Sequence, residues 1–270
     1  MTDLHAAAKR CLDATDPAEK LRLTDATWQA FLAGELRADP ASPAPEPIGA
    51  PGRPAKPVLV NARQVPQRGL GSAEGRAALV HAVAHIEFNA INLAWDAVYR
   101  YRDKPADYYR DWASCAHDEA RHFSMLSARL AELGHAYGDF DAHDGLWAMA
   151  EKTAAHDTAR MALVPRVLEA RGLDVTPGMI ERLRKLGDER TVAILEVILH
   201  EEVAHVAAGT RWYRHCCERD GVDPMDTFFV LLREYMGVSL RGPFNRPARL
   251  QAGFLEEELD RLAALAPMPG

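Results

Sequence analysis

The 270-residue chain holds only four cysteines, Cys11, Cys115, Cys216 and Cys217. They form no CxxC pair, which removes zinc-ribbon and rubredoxin-like sites and leaves reduced structural thiols as the simplest reading. Aromatic residues make up 7% of the chain, and alternating runs of β-branched residues are scarce. A sheet protein is therefore not expected. No excess of positive charge is present: the balance is −7. That field argues against general nucleic-acid binding. No apolar run suggests a membrane span, and MTDLHAAAKR lacks a signal-peptide core, so no membrane partner and a cytoplasmic location are expected.

Helix formers dominate what is present, and 48% of residues are apolar, enough for a large helical core. Asp16-Pro17-Ala18-Glu19 reads as a helix cap with proline at the first turn, within a helical lead-in over 1–37. Residues 38–60 carry seven prolines, from Pro40 to Pro57, and read as an extended connector. A long helix is expected from Ser72 to about Arg102, broken by Pro105, and a second from Ala106 to Leu133, stopped by Gly134. A third runs from about Leu146 to Arg171, where Gly172 and Pro177 are expected to break it. A short piece restarts at Thr176, and a long helix follows from Asp188 to about Glu218. Short helices complete a C-terminal extension over 222–270. The ligand-bearing domain is expected over 61–221.

Several polar residues lie on faces that should be buried. Glu119 and His122, in HDEARHF, are three apart and share a helix face with Cys115, Phe123 and Leu126. Glu202 and His205, in HEEVAHV, repeat the pattern among Ile198, Leu199 and Val206. A third ExxH, Glu132 to His135, is interrupted by Gly134. Lone acids add to the set: Glu87 among Val83, Ala84 and Ile91, and Glu169 near Ala162, Pro165 and Leu173. Burying one unpaired carboxylate is costly. Burying four carboxylates with two imidazoles makes sense if two divalent cations join them, because the charges then cancel.

The spacings agree with this. In an antiparallel hairpin, residues equally far from the turn meet at one level. The midpoint between Glu87 and Glu119 is Asp103, beside Pro105. The midpoint between Glu169 and Glu202 lies at Lys185 and Leu186, beside Gly187. One Glu, a turn and ExxH thus occur twice. Facing hairpins of this kind form an antiparallel four-helix bundle with a di-iron or di-manganese carboxylate centre. Oxygen-rich donors with one imidazole per metal suit iron or manganese better than a structural zinc.

The chain resembles the ferritin-like superfamily and, within it, a bacterial ferritin-like family of unknown function. The segments that carry this are HAVAHIEFNAINLAWDA (81–97), HDEARHF (117–123), LVPRVLEARGLDVTP (163–177), HEEVAHV (200–206) and RGPFNRPARLQAGF (241–254). HDEARHF and VLEAR are also similar, more distantly, to segments of di-iron tRNA hydroxylases. The resemblance implies an all-α bundle with Glu87, Glu119, His122, Glu169, Glu202 and His205 as metal ligands and catalytic residues. The expected break after Glu169 leaves Glu151 as its alternative, with His156 and Asp157 behind it.

The expected function is an O2-activating di-iron oxidoreductase or hydroxylase acting on an unspecified small or macromolecular substrate. Without relay cysteines, it would draw electrons from an external donor. The alternatives are an iron-oxidising, iron-storing or peroxide-removing protein, and an interaction module with a structural metal. His81 and His85 are expected to pack or to orient ligands, and the cations at Arg182, Arg184, Lys185 and Arg190 to be solvated.

Overall fold

The computed structural model describes residues 3–237, 240 and 242–265. They form eleven α-helices: α1 (Leu4–Asp13), α2 (Pro17–Leu32), α3 (Ala73–Arg100), α4 (Ala106–Glu132), α5 (Gly145–Lys152), α6 (Asp157–Leu163), α7 (Ala170–Lys185), α8 (Glu189–Asp220), α9 (Pro224–Met236), α10 (Arg246–Gln251) and α11 (Glu256–Leu265). Isolated bridges, and no strand, occur among the described residues. The chain is therefore all-α. It divides into two compact units, Met1–Glu151 with Leu186–Ile194, and Lys152–Lys185 with Leu195–Gly270.

The first unit is built on the α3–α4 hairpin. Ser72 caps α3 by accepting a hydrogen bond from Gly75 N at 3.0 Å. Between the helices the chain turns through Asp103, in the left-handed region at φ 56°. Gly134, at φ 78°, follows the end of α4. Tyr108 donates to Ala97 O at 3.4 Å, and Phe88 meets Phe123 at 5.3 Å, so the helices run antiparallel. α3 is long and apolar enough to cross a membrane, contrary to the expectation for this sequence, but 72% of its most apolar window is buried in the protein. It also buries Asn89, Asn92 and Asp96. This is how a core helix is placed.

The lead-in packs against this hairpin. Asp3 caps α1 and Asp16 caps α2, with Pro17 in the first turn. Trp95 Nε1 donates to Thr24 Oγ1 at 3.0 Å. Lys20 is wholly buried, and its Nζ donates to Cys11 O (2.7 Å), Leu12 O (3.1 Å) and Asn92 Oδ1 (2.7 Å). Burial pulls its pKa down to about 7. Three acceptors match the three protons of an ammonium, and two of them are carbonyls at the end of α1, where a cation is favoured. The geometry thus supports the charged form. The proline-rich connector is extended and anchored, with Glu46 N donating to Tyr99 OH, Trp147 Nε1 to Gly49 O and Gly52 N to Leu12 O. All four cysteines are buried, and none forms a disulfide.

The second unit departs from the expected course of the third helix. The interruption falls at residues 153–156, not at Gly172 and Pro177. After α6 the backbone widens into a π-helical turn, Val164–Glu169, where Ala170 N bonds Pro165 O five residues back. Pro165 has no N–H to offer Met161 O, so an α-helical ladder cannot pass unchanged. α7 then runs straight through Gly172 and Pro177. The carbonyl that Pro177 leaves unserved, Leu173 O, accepts from Asn245 Nδ2 at 3.0 Å. The helix survives because a side chain from the PFNRP loop replaces the missing donor.

Two buried arginines hold the C-terminal helices in this unit. Arg166 pairs with Glu258 at 2.5 Å and lies over the rings of Tyr213, Phe228 and Phe254 at 4.4–4.7 Å. Arg249 makes a two-bond pair with Asp174 (2.9 and 2.8 Å). α8 meets the π-helical turn at Gly209, where a Cβ would stand 2.3 Å from Pro165 Cβ.

Candidate metal centre

Midway along the first hairpin, α3 presents Glu87 and α4 presents Glu119 and His122. All three are buried. His122 Nδ1 lies 3.1 Å from Glu87 Oε2 and 3.4 Å from Glu119 Oε2. The ExxH spacing puts the second carboxylate and the imidazole on one face, and the hairpin register brings Glu87 to their level. Each of the three offers a ligand atom within 4.8 Å of the others. Donors on opposite sides of a metal with bonds of ~2.1 Å stand about 4.2 Å apart, so closure by a few tenths of an ångström forms a coordination sphere. Phe88 and Phe123 stand beside the ligands, and Tyr137 packs edge-on against Phe123 at 5.0 Å.

The electrostatics fit a cation. Burial, and then the charge of Glu119, push the Glu87 carboxyl up to about 8. Burial favours a neutral His122, but hydrogen bonds to Glu119 and Glu87 outweigh it and raise its pKa to about 11. Protons are thus held here for want of other positive charge. A divalent ion would supply that charge, and two carboxylates with one imidazole are a donor set suited to iron or manganese.

The second half of the expected ligand set lies on α8 and at the end of the π-helical turn. Glu202 and His205 are buried, with His205 Nδ1 3.3 Å from Glu202 Oε1. Glu169 is half-buried at the last position of the turn. Among the described residues, Glu169 and His205 do not join so close a donor group. Glu151 and His156 are exposed, and Asp157 is paired with Arg219 at 2.5 and 2.9 Å. Glu169 is therefore the better placed acid of the alternatives on this stretch.

A family described as "Protein of unknown function (DUF455)" matches residues 13–260. The chain belongs to that family. A protein of Haemophilus influenzae (strain ATCC 51907 / DSM 11121 / KW20 / Rd), described as "Uncharacterized protein", is 46% identical over 214 residues, covering 77% of this chain and 74% of the relative. No solved structure matches. The DUF455 match spans both ExxH pairs, Glu87 and Glu169.

Neighbouring residues take other roles. His85 Nδ1 meets Tyr137 OH at 2.9 Å, and His81 Nε2 accepts from Gly138 N at 2.9 Å. Burial pulls both imidazoles down to about 4, so they are neutral. They fix the loop after α4 over the aromatic wall. Only the richness of GHAYGDF in His and aromatics hints at this. His117 turns to α2, stacking on Trp28 and lying 3.4 Å from Asp25. Arg184, Lys185 and Arg190 are exposed and paired with Glu196, Glu181 and Glu132.

Proposed function

We propose that the chain is a di-metal carboxylate protein of ferritin-like architecture, with two iron ions and an O2-dependent oxidoreductase or hydroxylase activity. The observation that carries this reading is the buried cluster of Glu87, Glu119 and His122. In it, α3, α4, the α6–α7 run and α8 are the four helices of the bundle within residues 61–221. Glu202 and His205 bring the second ExxH to the same centre, and Glu169 completes the set. Iron bound there would supply electrons to O2 for oxidation of a substrate, with an external donor restoring them.

The protein's own part begins with protons. In the metal-free chain, protons rest on the Glu87 carboxyl and on His122 Nδ1, between two carboxylates. The same lone pairs would hold the metal, so its binding would be coupled to proton release. Phe88, Phe123 and Tyr137 pack on one another, with Phe88 next to Glu87 and Phe123 next to His122 in the chain. His85 and His81 hold Tyr137 in that position.

Metal analysis of the purified chain is expected to give two iron ions per chain, and the ferrous-loaded protein is expected to consume O2. Glu119→Ala and His205→Ala should each lose metal. Both variants retaining two ions per chain would overturn the ligand set. A loaded protein inert to O2 would reduce the site to a structural metal, and a large shell assembly in size-exclusion chromatography would favour iron storage.

A further inference from the structure

The first unit contains a polar cavity, far from the ligands. It lies at the turn of the α3–α4 hairpin, has a volume of about 310 Å³, and is lined by Arg102, Ser42, His5, Tyr109, Asp39 and Asp103, among others. Thirteen residues of helix separate Glu87 from Arg100, about 20 Å at 1.5 Å per residue.

Its interior carries donors with nothing to bind. Arg102 Nε and Nη1 are shut off from solvent, and no described residue accepts a hydrogen bond from either. Ser42 Oγ is in the same state. Buried polar groups are nearly always satisfied, and a guanidinium is the costliest to leave otherwise. Arg102 instead lies over the Tyr99 ring, its Cζ 5.2 Å from the centroid.

The walls are fixed in advance. His5 Nδ1 donates to Val98 O at 2.9 Å, which leaves Nε2 as an acceptor. Tyr109 OH donates to Tyr101 O at 3.2 Å and accepts from Lys104 N at 3.2 Å. Tyr99 OH accepts from Glu46 N at 2.9 Å, pinning the connector that forms the opposite wall. Asp103 holds a left-handed backbone at φ 56°, a conformation concentrated at turns and functional sites.

The charges are sorted by depth. Arg102 and Lys104 are half-buried, whereas Asp39 and Asp103 are exposed. A cationic interior calls for an anionic oxygen, and an acidic rim repels a second negative charge. One molecule satisfies both, a small monocarboxylate that also bears a cation. We propose that this cavity binds a zwitterion of the free amino-acid type, with its carboxylate on Arg102 and Ser42 and its ammonium toward Asp103 and Asp39. Amino-acid-sized ligands match the volume, and a phosphate dianion is disfavoured by the rim.

The test uses the full chain with a panel of free L-amino acids, and with acetate, methylammonium and inorganic phosphate as controls. At about 10 mM, at least one amino acid is expected to raise the Tm by roughly 3 °C, while the controls do not. Calorimetric titration with that amino acid should weaken at least about tenfold in Arg102→Gln, because Nε and Nη1 of the native side chain bond no described residue. Asp103→Asn should weaken it as well, with helix content and metal content unchanged in both. The proposal is overturned if no amino acid binds, if acetate or phosphate binds as tightly, or if Arg102→Gln binds undiminished. Because metal content is read separately, failure here leaves the metal centre untouched, and failure of the metal centre leaves this cavity untouched.

Discussion

The chain writes one pattern twice, a lone Glu, a turn and ExxH, and folds it in two ways. In the first hairpin, Glu87 sits on an uninterrupted helix, and its carboxylate reaches the imidazole of His122 at 3.1 Å. In the second, Glu169 ends a π-helical turn, on a run interrupted at 153–156 and sustained past Pro177 by a distant side chain. The first half is made by local rules. The second depends on contacts from the C-terminal helices, so its geometry can be disturbed from far along the chain.

The largest disturbance should come from Glu258→Ala. It leaves the Arg166 guanidinium buried without its carboxylate, and the loss of stability should be about 3–5 kcal/mol. Denaturation followed at the C-terminal unit should show it first. If Glu258→Ala unfolds no more easily than the parent, the pair is not what holds α11. Next is Gly209→Ala, which forces a methyl against the Pro165 ring at 2.3 Å. A cost of about 1–3 kcal/mol is expected. Metal analysis adds a second reading: under the proposed ligand set, ions should be lost from the Glu169 half, with the first hairpin's share retained.

Proton linkage sharpens the other side of the comparison. Both Glu87 and His122 have folded pKa values raised above their unfolded ones. Their stabilising contribution is present in full below the unfolded values and is lost as pH climbs through the folded values. The metal-free chain should therefore lose stability from about pH 5 to about pH 8 through Glu87 and on to about pH 11 through His122, by at most about 1.4 kcal/mol per pH unit per proton. Metal held by the same groups would reverse the slope, because its affinity would grow as those protons leave. Urea denaturation with and without chelator measures this, and a chelated protein that grows more stable with pH contradicts it. The smallest effect is expected of Asn245→Ala, about 1 kcal/mol, from a helix carbonyl left without its donor. Hydrogen exchange should locate the loosening around Pro177.

These differences also explain what could be read from the sequence. Ser72, Pro105 and Gly134 mark the ends of α3 and α4 because caps and breakers act on neighbours. The level at which Glu87 and Glu119 meet followed from counting residues to the turn. In the second unit the same signs misled. Gly172 and Pro177 look like a break, but Asn245, sixty-eight residues beyond Pro177, undoes it, and no local pattern announces that bond. The interruption at 153–156 carries neither glycine nor proline. The buried arginines, Arg166 and Arg249, were equally hidden, since only tertiary structure decides which charges are enclosed.

Lys20 offers one last consequence. Its amine is sealed among α1, α2 and α3, with all three of its protons engaged. An acylating reagent can reach it only when those helices part. Slow acetylation of this residue, read by mass spectrometry against the surface lysines, would therefore act as a clock for the breathing of the N-terminal half.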